Sequence, residues 1–351
     1  MTRRTQVGLF VVGTALFVFL LQHLGPGRLL HDLRQTGWMF APIVAVYAAV
    51  YAGNALACWL VMADEPGRPS YGRTWAIMVS GFALNSVTPF VQLGGEPFKV
   101  GAFAAWLGPR RATGAVLTYY MLNALSNMLS WLVGIFGVLF LLRPTAPVAL
   151  SLAAGAAALL LLFLFVFSRH RAGVFGLALA TLAKVPLLRG AARALEGRRD
   201  TLMLLDEQIA GFYHRSRRRF VLALAIDFGA RAVAMLEYYL IARSVGTPID
   251  YVQAFLMGSF LTLSLNLLFF VPFDLGSREG GTGLIFGILG LPSSLGIYAG
   301  IVTRLRWAVW IAVGLGLLWV TGRRRPGPAP AVPPDVPATG TTTADRPPAG
   351  G

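Results

Sequence analysis

The chain has one cysteine, Cys58, among 351 residues, together with 15 acidic residues, four histidines and two lysines. A lone thiol excludes an internal disulfide framework and any cysteine-based metal site. His23, His31, His170 and His214 lie at segment ends or in loops and lack metal-ligand spacing, so neither metal nor cofactor is expected. No Ser/His/Asp set or paired-carboxylate arrangement in a soluble cleft is visible. "GGTG" at 280–283 lacks both the full phosphate-loop pattern and a strand before it, so it does not read as a nucleotide site.

What the chain does have is apolar residues, 56% of the total, against 13% charged. Mean hydropathy is +0.65, which excludes an ordinary soluble domain. Stretches of about 20 apolar residues, the length that crosses a bilayer, recur from Val7 to Val320. The expected class is an all-α polytopic membrane protein with no separate soluble catalytic domain. Full spans are predicted at Val7–Leu24, Phe40–Met62, Gly114–Leu142, Val148–Ser168, Phe220–Ala242 and Ser294–Val320. Arg3 and Arg4 precede the first, but no small-residue cleavage pattern follows, so an uncleaved span is expected there.

The formal charge is +15, and 28 of the 30 basic residues are arginine. They cluster in loops spaced by the apolar segments, which is the pattern of membrane topology and contact with anionic headgroups rather than of nucleic-acid binding. Residues 169–219 hold eleven basic and four acidic residues. Leu202, Leu205, Ile209 and Phe212 recur there at helical spacing, which fits either an amphipathic helix on the inner leaflet or a polar linker. From 323 onward the composition turns to Pro, Ala, Thr and Gly and reads as a disordered tail.

Two apolar runs are broken. One breaks after Asn85 at "NSVTPFVQLGGEPFK", the other after Asn266 at "NLLFFVPFDLGSREGGTG". Pro89, Phe90 and Glu96 in the first repeat the spacing of Pro272, Phe273 and Glu279 in the second. This internal repeat divides the chain into residues 1–168, with a re-entrant motif near 85–107, and residues 220–322, with another near 266–291. Loop charges then place the N-terminus, the 63–74 loop, Arg110/Arg111, the 169–219 segment and the C-terminal tail on the cytoplasmic side. The two hairpins enter from opposite sides, as in inverted-repeat transporters with helices broken at mid-membrane.

Backbone leaves helical form at membrane depth only where protein or a wet cavity satisfies its polar groups. The breaks at Pro89, Gly94, Gly95 and Pro97, and at Pro272 and Gly276, therefore mark a cavity. A half-helix beginning at Pro97 is expected, with Glu96 beside its positive end; Ser277, Arg278 and Glu279 offer the same in the second half. Both glutamates could serve as helix caps alone, but the number and depth of the ionisable residues favour a pathway role, since such residues by default mark a path. Glu96 and Lys99 stand three apart, and Asp227 and Arg231 four apart, each close enough to meet on one helix face. Arg304 and Arg306 lie near the middle of the last span. With Lys99 they are candidate contacts for a lipid phosphate, the alternative being partnership with Glu279, Glu237 or Asp274. Asn123, Ser126, Asn127 and Ser130 form a stripe that serves either as interhelical glue or as a cavity lining.

At these residues, "TPFVQLGGEPFKV" in the first half and "VPFDLGSREGGTGLIFGILGL" followed by the arginines of the last span, the sequence resembles the transmembrane region of lysylphosphatidylglycerol synthases. The resemblance covers roughly residues 7–322. It implies a flippase-like membrane protein that translocates lipid between leaflets or serves envelope lipid metabolism, and it implies that Glu96, Pro97, Glu279 and Arg304 match motif positions. The soluble aminoacyl-transfer domain of the full synthases has no counterpart, so lysyl transfer is not expected.

The resulting expectation is a transporter, not an enzyme, in the cell's inner membrane, with both termini cytoplasmic. It would move an anionic or polyprenyl-type lipid, downhill or coupled to protons through Glu96 or Glu279. Partners would be membrane lipids, with no nucleic acid. Two alternatives stay open: a subunit that scaffolds a lipid-biosynthesis enzyme, and an intramembrane enzyme acting on lipid-linked phosphate.

Overall fold

The structure is a computed structural model that describes residues 34, 36–87, 95–142, 144–169, 217–267, 287 and 290–323. The first expected span, the 170–216 stretch, the 268–286 break and the tail lie outside the described residues. Among the described residues there are eight α-helices and no strand: α1 Phe40–Val61, α2 Tyr71–Val87, α3 Gly95–Leu107, α4 Pro109–Gly137, α5 Ala146–Arg169, α6 Arg217–Ser244, α7 Tyr251–Leu267 and α8 Ser293–Arg323. A 3-10 turn at Gly37–Met39 leads into α1, and α4 ends in a π turn at Val138–Leu142.

Among the described residues four helical stretches are long and apolar enough to cross a membrane: Gly37–Val61, Pro109–Leu141, Ala146–Phe165 and Tyr298–Val320. They correspond to four of the expected spans. The chain is thus a multi-pass helical membrane protein. The span expected at 220–242 is helical within α6, but Asp227, Arg231 and Glu237 along it keep it out of that set. Two of its charges, Asp227 and Arg231, pair within α6, and Glu237 pairs with Arg306 of α8.

Two antiparallel arrangements organise the rest. Along α1 and α6, Asp64 accepts from Arg219 at one end, Gly53 faces Ala230 midway, and Ile43 shares an apolar cluster with Ile241 and Ala242 at the other end. α2 and α3 form a tight hairpin. A Cβ on Gly95 would collide with the Gly81 carbonyl and Asn85, and one on Gly81 would run into the Lys99 side chain. Only glycine lets these backbones come so close.

The two halves share local devices. Tyr71 Oη donates to Ala52 O at 2.9 Å, bracing α2 on α1; Tyr251 Oη donates to Ala232 O at 2.8 Å, bracing α7 on α6. Both bonds join residues 19 apart. Gly108 (φ +77) directly precedes Pro109, the first residue of α4, and Gly290 (φ +75) and Pro292 lie just ahead of α8. Packing crosses between the halves: α2 meets α8 where Gly314 sits against Val79 and Ala83, and α4 meets α7 where Gly134 sits against Ser259.

One core joins α1 to α4 through Cys58, Met62, Phe98, Phe103 and Leu122. The other joins α6, α7 and α8 through Met235, Met257, Leu261 and Val302. α5 is different, since only 6% of its apolar window is buried. It packs on α4 and presents Leu150, Leu161, Leu164 and Phe165 outward, as a lipid-facing helix must.

Charge is distributed by end. Where α1 finishes and α4 and α6 begin, Arg111 pairs with Glu65 at 3.6 Å and Arg219 with Asp64. There Arg68 lies over the Trp59 ring (3.8 Å) and Arg73 over Trp106 (5.6 Å), and Arg110, Arg217 and Arg218 belong to the same end. At the opposite end Thr36 Oγ1 meets Tyr298 Oη at 2.8 Å, and there Arg243 closes α6 and Asp250 precedes α7.

Candidate functional site

The α2–α3 hairpin turns where the sequence breaks, and its flanks carry a polar network. The new helix begins at Gly95, two residues before the expected start at Pro97, so that Glu96 lies within the first turn rather than ahead of it. The reason is Asn85. Its Oδ1 accepts from Gly95 N–H at 2.6 Å, supplying from α2 the capping acceptor that a local Ser or Asp would otherwise provide.

The other face of the same amide donates to Glu96: Asn85 Nδ2 lies 2.6 Å from Oε1. Lys99 Nζ lies 3.4 Å from that oxygen, and Tyr120 Oη, reaching in from α4, donates to it as well. Lys99 Nζ also donates to Tyr120 Oη at 2.7 Å, closing a ring. All three donors converge on Oε1, while Oε2 is buried with no hydrogen-bond partner among the described residues. Lys99 is 5% exposed, so its ammonium depends on Glu96 and Tyr120 for compensation. The described partners of Glu96 are side chains rather than backbone N–H groups.

A second network lies on the next turns of α4. Arg231 of α6 pairs with Asp227 at 3.4 Å, as their spacing of four predicts. It also donates to Ser126 Oγ (2.9 Å), Asn127 Oδ1 (2.7 Å) and Asn123 O (3.2 Å). Asn123 Nδ2 approaches both Asp227 oxygens at 3.4 Å. Ser130 meets Ser259 of α7 at 3.2 Å. The four-residue stripe therefore acts as interhelical glue, a tethering of charge to polar residues that hydrocarbon surroundings demand. Cys58 of α1 is buried in the apolar cluster that also holds Phe98 and Tyr119, beside these networks.

The third network engages Arg306. Its Nε and Nη2 donate to Glu237 Oε1 and Oε2 at 2.9 and 3.0 Å, a bidentate fork, and its guanidinium stacks 3.4 Å from the Tyr47 ring centroid. Of the two readings open for Arg306, the ion pair is the one realised. Arg304 is also buried on α8, but residues two apart on a helix point to different faces, so the two arginines do not form one fork. Asn266 is exposed and donates to Thr262 O of its own helix at 2.8 Å.

Sequence-derived positions are thus brought together in three groups: Asn85, Gly95, Glu96 and Lys99; Asp227 and Arg231 with the α4 stripe; and Arg306 with Glu237. Pro89, Gly94, Pro272, Asp274, Gly276, Arg278 and Glu279 lie outside the described residues. Tyr120 and Tyr119 are the site residues that the sequence reading missed. Extending the Asn123/Ser126/Asn127/Ser130 stripe one turn back lands on both, and Tyr119 Oη indeed approaches Asp227 at 3.5 Å.

The family model described as the lysylphosphatidylglycerol synthase TM region matches residues 6–316. No curated protein and no solved structure matches the chain. With nearly all of its helical length inside that match, the chain belongs to the lysylphosphatidylglycerol synthase TM region family, membrane proteins of lipid metabolism.

Proposed function

We propose that this protein is a lipid transporter of the flippase type, which moves an anionic or polyprenyl-type lipid between leaflets of the cell's inner membrane without being an enzyme. The observation that carries the reading is the half-buried Glu96–Lys99–Tyr120 network at the start of α3, where charge gathers beside the end of one helix and the beginning of the next. Such a coincidence inside a bilayer is a feature of substrate paths.

The matched Tyr71 and Tyr251 braces support an inverted repeat. They act on α1 and α6, which run antiparallel, so α2 and α7 start from opposite ends. The arginine-rich end is cytoplasmic by the positive-inside rule, and the C-terminal end of α8 lies there.

The test is reconstitution into liposomes with fluorescent analogues of anionic lipids. Wild type is expected to equilibrate the two leaflets, and Glu96→Gln and Arg304→Ala to slow this at least tenfold while inserting normally. Equal rates in all three proteins would remove these residues from the path, and no movement by wild type would remove the transporter reading.

A further inference from the structure

The Glu96–Lys99 network has an asymmetry that the transporter reading does not use. Oε1 collects every described donor, and Oε2, which is buried, has none. A buried carboxylate oxygen without a donor is a costly acceptor, and the least disruptive group that can satisfy it is a proton. Among the described residues Lys99 is the buried cation paired with that carboxylate, and its ammonium is shared between Glu96 and Tyr120.

An incoming phosphate monoanion or diester needs Lys99. If Glu96 stayed ionised, the hairpin would hold two negative charges against one positive charge at membrane depth, an imbalance costing several kcal/mol. Resting on the reading of this hairpin as a lipid path, we propose that an anionic phosphate displaces Glu96 from Lys99 while Glu96 takes one proton from water onto Oε2. Site charge is then the same before and after, one cation against one anion.

The groups facing Glu96 leave few other proton acceptors. On its own helix there is Lys99; α2 presents the neutral Asn85 and α4 presents Tyr120, with Tyr119 behind it. α1 brings Cys58, and α6 brings Asp227, which Arg231 and Asn123 already engage. The connecting residues 88–94 contain no ionisable side chain.

The experiment is calorimetric titration of the purified full-length protein with short-chain phosphatidylglycerol, in two buffers of different ionisation heat. Wild type is expected to take up one proton per lipid bound, and its affinity to fall about tenfold for each pH unit above neutrality, since proton uptake on binding opposes rising pH. Glu96→Gln is expected to bind with no proton uptake and no such pH dependence. Binding by wild type with no proton exchange, or undiminished uptake by Glu96→Gln, would overturn the exchange and leave the transporter reading standing. No binding at all would overturn both. Zwitterionic phosphatidylcholine should draw no proton, and an equal uptake with it would also count against the idea. Inorganic phosphate separates the sources: the same uptake means that the phosphate alone is read, and none means that the lipid is required. The wild-type pH series decides the matter even where Glu96→Gln does not fold.

Discussion

At the residue scale, the buried charges of this protein divide into those that are saturated and those that are not. Arg306 is saturated: two fork bonds to Glu237 and a ring face at Tyr47 leave it little to offer a ligand. Its role is then structural, and the consequence is measurable. Glu237→Gln should destabilise the protein by about 3–5 kcal/mol, because it strands a buried guanidinium, whereas joint replacement of Glu237 and Arg306 by methionine should recover most of that loss. Unfolding in a mixed-detergent titration would check it, and a double variant as weak as the single one would contradict the assignment. Glu96 is unsaturated at one oxygen, which is what sets it apart from Asp227 and Glu237 as a functional candidate.

At the scale of elements, the polar braces do what propensity cannot. α2 and α3 have 17 and 13 residues, so at 1.5 Å per residue neither comfortably crosses a hydrocarbon core of about 30 Å. They are held as a hairpin by the glycine contacts at 81 and 95 and by the double use of Asn85. The tyrosine braces offer a test of likeness between halves: Tyr71→Phe and Tyr251→Phe should each cost about 0.5–1.5 kcal/mol, and by similar amounts. A large effect from one and none from the other, in thermal unfolding, would argue against equivalent hairpins. Much of this level was legible in the sequence. The pairing of Asp227 with Arg231 and the four apolar spans follow from composition and spacing. The start of α3 was not legible, because its cap comes from Asn85 on another helix, and neither was Tyr120, whose hydroxyl joins the site only through tertiary packing. The partner of Arg306 was open among three carboxylates, since spacing along the chain says nothing about which helix lies opposite.

At the scale of the whole molecule, the ends differ in charge, and that difference sets an orientation that can be measured. Cys58 is buried and is the one native thiol, so a Cys58→Ala background is simple to prepare. On that background, Arg68→Cys should react with a membrane-impermeant maleimide only in inside-out vesicles and Thr247→Cys only in intact cells. The reverse pattern would invert the topology. The two halves meet at the α1–α6 crossing, where Gly53 leaves no gap before Ala230. So close a seam admits neither a wedge nor a film of lipid. Drawing the halves apart would therefore have to undo this seam together with the close α2–α8 and α4–α7 contacts at Gly314 and Gly134.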